Sequence, residues 1–148
     1  MRNIGNVTSH LKSSGVDAAA SILSTNGRVR TELLRVQRAC AEKFDLVAEG
    51  RDVGSVVFPN ADVKFFLTAC VSVRAQRWRS DQKKRSGIDF SLDKAIQTIT
   101  KRDERDRTRT IAPLICPKDA FVLDNSDLDL DGTLAKMVDV IQKKRGQA

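Results

Sequence analysis

The chain has 148 residues, 41% of them hydrophobic, and carries a formal net charge of +7 at pH 7. That length and content fit one folded domain and exclude a disordered tail. No stretch approaches the roughly 20 apolar residues of a membrane helix, and MRNIGNVTSHLKSS holds no apolar block resembling a signal peptide, so a cytoplasmic location is expected.

Three dispersed cysteines, Cys40, Cys70 and Cys116, form no C-x-x-C pair and suggest neither a disulfide framework nor a zinc site; buried or inert thiols are expected. His10 stands alone in a polar stretch and is expected to be solvated. The positive charge implies attraction to anions, but charge alone does not separate a nucleic acid from a nucleotide phosphate.

In chain order, Val29, Leu33, Val36, Cys40 and Phe44 recur at helical spacing with charged residues between them, which predicts an amphipathic helix ending near Lys43. Leu46-Val47-Ala48 then reads as a short buried strand, closed by the Gly50 to Gly54 turn. Val63 to Ala69 is dense in β-formers and reads as a second strand. Ser72 can cap a helix whose inner stripe is Val71, Ala75 and Trp78 and which Gly87 ends. A further helix begins at Ser91, buries Leu92, Ala95, Ile96 and Ile99, and runs into KRDERDRTR before Pro113. Ala120 to Asp124 is a third short strand, and Leu130, Leu134, Val138 and Ile141 mark a terminal helix. The alternation predicts an α/β fold with a largely parallel sheet, in which ligands gather at the carboxyl ends of strands.

Three constellations could carry chemistry. In Glu49-Gly50-Arg51-Asp52-Val53-Gly54, two glycines allow a sharp turn that presents an arginine beside a carboxylate. Such a guanidinium can grip a phosphate through two parallel hydrogen bonds, while the acid accepts from an exocyclic amine. A turn held by local hydrogen bonds reads equally well. Arg102, Asp106 and Arg109 stand at i, i+4 and i+7 and share one helix face. A carboxylate between two guanidiniums suits ribose hydroxyls and phosphoryl oxygens, and a salt-bridged, solvated helix is the alternative. Ala18-Ala19-Ala20-Ser21, with Arg30 beyond, permits close helix contact and a hydroxyl aimed at a base, or is helix filler. No G-x-x-x-x-G-K-[ST] occurs, and no glycine is followed by lysine.

Read together, EGRDVGSVVFPNADVKFFLTA, KRDERDRTR and IAPLICPKDAFVLDNSDLDLD resemble the bacterial cytidylate kinase family from about Val16 to Ile141. The resemblance implies an α/β, parallel-sheet P-loop nucleoside monophosphate kinase fold, incomplete at the N-terminus, with an arginine-rich helical lid. It implies a single partial domain over residues 1–148, with an acceptor-binding region at about 8–45 and a lid at about 80–112. The implied reaction passes the γ-phosphoryl group of ATP to CMP or dCMP with Mg2+, for which no ligands are assignable. Arg51 would hold the acceptor phosphate, Asp52, Arg30 and Ser21 would recognise cytosine, Asp106 would bind the ribose, and Arg102 and Arg109 would act in transfer. Lys12, Gly15 and Ala18 depart from the residues usual in the family. The absent phosphate loop makes a truncated or split kinase the leading expectation, its N-terminal P-loop segment being a separate chain, an omitted part of the gene, or lost. A non-catalytic nucleotide-binding remnant is the second. A basic nucleic-acid-binding domain built on Arg74 to Arg109 is disfavoured, because the chain has no tyrosine and no recognised reading motif.

Overall fold

The computed structural model describes residues 14–146, so His10, Lys12 and the start of the expected acceptor-binding region lie outside the described residues. The chain divides into two compact units, one reaching to Ala48 and including Arg109–Ile111, the other holding Glu49–Thr108 and Ala112–Ala148.

The first unit is built on helices α1 (Ser14–Leu23) and α2 (Gly27–Ala41). Between them Asn26 has an extended backbone, and its Oδ1 accepts from the amides of Arg28 at 3.0 Å and Val29 at 3.3 Å, satisfying two donors that no helical carbonyl can reach. Gly27 follows because a side chain there would press on Ile111 Cδ1, 3.3 Å from where a Cβ would stand. The amphipathic pattern predicted from Val29 is helical as expected. Its apolar stripe, however, is exposed at Leu33, Val36 and Phe44, and α2 buries no residue.

In the second unit, strands β1 (Phe65–Thr68) and β2 (Phe121–Asp124) pair in parallel, with Phe65 opposite Phe121 and Thr68 opposite Asp124. The ladder extends beyond both ends through Phe121 N to Lys64 O at 2.8 Å and Asn125 N to Thr68 O at 2.9 Å. Parallel strands need a long crossover. Here it is a helical hairpin, α3 (Val71–Ser86) and α4 (Leu92–Thr108), whose helices pack on each other. Ala75 on α3 and Ala95 on α4 are both 0% exposed, and small side chains at such positions let helix backbones approach closely. Gly87, at φ 72°, supplies the left-handed residue that ends α3. Trp78 and Phe90 meet beside the connection as a tilted pair, their ring centroids 5.2 Å apart. Helix α5 (Leu130–Arg145) follows β2, capped by Asp129 Oδ1 accepting from Gly132 N at 2.8 Å. Arg77 ties α3 to the start of this segment, donating to Asn125 Oδ1 at 2.9 Å, Asn125 O at 2.8 Å and Leu128 O at 2.9 Å.

At the start of β1, Lys64 is buried, and its ammonium lies 2.5 Å from both Pro59 O and Asp119 Oδ2. Its stem passes Gly54, where a Cβ would stand 3.3 Å from Lys64 Cδ. A buried ammonium without such partners would be costly.

Several expectations are corrected. Leu46-Val47-Ala48 is neither a strand nor buried, since Val47 is fully exposed and no described strand pairs with it. The Gly50–Gly54 turn opens instead into a single π turn, Val53–Val57, closed by Phe58 N to Val53 O at 2.7 Å. The residue that precedes α3 is Cys70, not Ser72, and no side chain caps that helix. All three cysteines are exposed rather than buried. The Cys70 thiol is held below its ordinary pKa by the Ser72 hydroxyl 3.3 Å away and by the Val73 backbone.

At the hairpin turn Asp89 meets Lys83 at 2.8 Å and Arg79 at 2.8 Å. These hydrogen bonds, that from Lys83 first, hold its carboxyl below the usual range. A depressed carboxylate contributes stability that is present above the unfolded value of about 3.9 and is lost as pH falls through the folded value. Asp89→Asn is therefore expected to lower the urea midpoint at pH 7 and to leave it nearly unchanged at the acid end, in a pH series of denaturant melts.

Candidate functional site

Arg51 owes its place to the turn before the π turn. At Gly50 a Cβ would stand only 2.6 Å from Val53 Cγ2, so a side chain there could enter only if the valine moved. The Asp52 carbonyl accepts from Val56 N at 2.8 Å and Val57 N at 3.2 Å, which fixes the backbone just after Arg51. The arginine side chain is thereby carried toward the last turns of α4.

There Arg51 Nε lies 3.3 Å from Asp106 Oδ2, and Arg51 Nη1 donates to Asp103 Oδ1 at 3.4 Å. Arg102 Nε approaches the same Asp106 oxygen at 3.9 Å. Asp103 and Asp106 are three residues apart on α4 and so present both carboxylates on one face. From α3, Arg74 Nη1 donates to Asp103 Oδ2, and its Nε donates to Ala69 O at 2.9 Å. The second unit thus gathers three guanidiniums and two carboxylates just beyond the carboxyl end of β1.

Asp106 is 4% exposed, and although two guanidiniums lie near, its Oδ2 accepts no hydrogen bond. A buried carboxylate oxygen in that condition carries an unmet desolvation cost, which a donor entering the cluster would relieve. Its backbone carbonyl is used, accepting from Leu114 N at 2.7 Å, so the residue itself is firmly placed.

The residues predicted from sequence separate as follows. Arg51, Arg102 and Asp106 are brought together in the second unit, and Asp52, half-buried, adjoins them in sequence. Arg30 and Arg109 belong to the first unit, where Arg30 Nη1 donates to Ser24 O at 3.3 Å. Ser21 lies in α1, and its side chain is outside what the structure describes. Asp103 and Arg74 are members that the sequence reading missed. The i, i+3 spacing of Asp103 and Asp106 was a usable signal for the first. Arg74 offered none, being one of many cations on α3.

Comparison with known proteins bears on this arrangement. The family model described as cytidylate kinase matches residues 2–143. The chain belongs to the cytidylate kinase family. Among curated cytidylate kinases, that of Aeromonas salmonicida (strain A449) is 40% identical over 142 residues, covering 96% of this chain and 61% of the relative. That of Klebsiella pneumoniae (strain 342) is 41% identical over 138 residues, covering 93% and 60%. That of Shewanella piezotolerans (strain WP3 / JCM 13877) is 42% identical over 137 residues, covering 93% and 59%. The chain therefore spans about 60% of the length of the cytidylate kinases it matches. Its mixed helix and strand content with a small parallel sheet accords with that family. No helix among the described residues is long and apolar enough to cross a membrane.

Proposed function

We propose that this chain is the acceptor-binding and lid-bearing part of a (d)CMP kinase, which passes the γ-phosphoryl group of ATP to CMP or dCMP. The observation that supports this most is the buried Asp106 carboxylate, flanked by Arg51 and Arg102, with one oxygen that accepts no hydrogen bond. A ribose hydroxyl is a donor of the right size for that oxygen, and Arg51 is within reach of the same ligand's phosphate. In this reading Arg51 grips the acceptor phosphate, while Asp52, Arg30 and Ser21 recognise cytosine. Arg102 and Arg109 neutralise charge that develops on the transferred group. Phosphoryl transfer depends on such positioning and charge stabilisation, with little covalent chemistry from the protein. The proposed acceptor-binding region is about 8–45 and the lid about 80–112, parts of one kinase domain.

Mg2+, which the family implies and which kinases usually hold through one or two carboxylates and substrate phosphates, has no ligands assignable here. Among the described residues no three His, Cys, Asp or Glu side chains cluster to hold a metal, and Asp103 and Asp106 face guanidiniums. The donor phosphates likewise need a cradle that this sequence does not contain, so we propose that a separate segment bearing a phosphate loop supplies it. A second reading is a nucleotide-binding protein without turnover, which would use the same Arg51 and Asp106 cluster.

Calorimetric titration with CMP and with cytidine tests the shared part of both readings. CMP is expected to bind and cytidine to bind far more weakly; equal affinities would remove Arg51 as a phosphate ligand. ATP consumption dependent on CMP, measured after adding a phosphate-loop segment, then separates the kinase from the non-catalytic form.

A further inference from the structure

We propose that Asp103 is an internal counter-ion that occupies the place of the acceptor's phosphate between Arg51 and Arg74, and that the phosphate binds by displacing it. The inference rests on the reading of Arg51 as the phosphate ligand and adds Asp103 and Arg74 to that site. Each oxygen of the Asp103 carboxylate is taken by a different guanidinium, Oδ1 by Arg51 and Oδ2 by Arg74. The two arginines come from separate segments and converge on this one small anion, which is the geometry a phosphate would use with more acceptor oxygens.

The anchoring of the two arginines is independent of Asp103. Arg74 is also held by Ala69 O, and Arg51 keeps Asp106 beside its Nε, so both would stay in place if the carboxylate left. Asp103 itself sits on α4, one turn of helix from Asp106, and its side chain is 13% exposed. The three guanidiniums and two carboxylates of the cluster leave one surplus positive charge, so an anionic phosphate is drawn into it in preference to an uncharged group. Asp103 would thereby set a threshold: a ligand without a phosphate gains nothing that offsets the lost ion pairs.

The test is calorimetric titration of the intact chain, as wild type, Asp103→Asn and Asp103→Glu, with CMP and with inorganic phosphate. Losing a charge-assisted pair from the free state is expected to tighten both ligands on the order of tenfold in Asp103→Asn. Asp103→Glu, which keeps the charge, is expected to stay near wild type. If Asp103 only holds Arg51 in position, Asp103→Asn weakens both ligands, and that result overturns the proposal. So does unchanged affinity in a variant whose circular dichroism and urea midpoint match wild type, or no binding of either ligand to any of the three proteins. The Asp103→Asn/Arg51→Ala double variant reports on the underlying reading separately. Tight CMP binding that survives the loss of Arg51 would place the phosphate elsewhere, whatever Asp103 does.

Discussion

The Arg51→Ala chain is expected to bind CMP roughly 10- to 150-fold more weakly than wild type, the range that follows from losing hydrogen bonds to a charged group. Its guanidinium faces Asp103 and Asp106 and is the member of the cluster presented by a turn rather than a helix. Removing it costs twice, because the Asp106 oxygen then keeps only the more distant Arg102 at 3.9 Å. A fall in the urea midpoint should accompany the loss of affinity. Arg51→Lys separates the two effects, since it restores a charge but not the planar fork. Stability is expected to recover more than affinity does. Calorimetry and denaturant melts on the three proteins give both numbers, and an Arg51→Ala variant that binds CMP as wild type does would refute the site.

The largest stability effect is expected at the α3–α4 contact. Ala75 and Ala95 are completely covered, so a longer side chain at either must be accommodated among its neighbours rather than in solvent. Ala75→Leu is expected to destabilise the second unit by about 3 kcal/mol, the upper part of the usual range for overpacking. The helices must then separate or turn, and α4 carries Asp103 and Asp106 with it. CMP affinity should therefore fall although no ligand-facing residue has changed. Ala75→Ser, which adds little volume, is the control and should leave the urea midpoint within about 1 kcal/mol of wild type.

Much of the second unit was legible because local signals and tertiary demands agree there. Gly87 does end α3, as a left-handed residue should, and the Phe65–Thr68 and Phe121–Asp124 strands sit inside the segments expected from their β-formers. The Arg102–Asp106 approach follows from helical period alone. Leu46-Val47-Ala48 fails for the opposite reason. Three apolar residues suit a strand, but a strand exists only by hydrogen bonding to a neighbour, and none of the described strands pairs with them. For the cysteines, expected to be buried or inert, exposure likewise depends on what covers a residue, which composition does not encode. Asp103 escaped notice because the charged run offers many pairings, and the choice among them depends on where the turn at Gly50 delivers Arg51.

The enclosed Lys64 turns the second unit into its own reporter of opening. Trypsin must draw a lysine side chain into an acidic pocket before it cuts, and this one is held inside by Pro59 and Asp119 while the adjoining carbonyl is engaged by Phe121. Cleavage between Lys64 and Phe65 therefore waits on an excursion that frees the strand, whereas the exposed lysines of α3 need only local unwinding near that helix's end. The rate at which that one bond is cut, followed by mass spectrometry with and without CMP, measures how often the sheet comes apart and how far a ligand suppresses it.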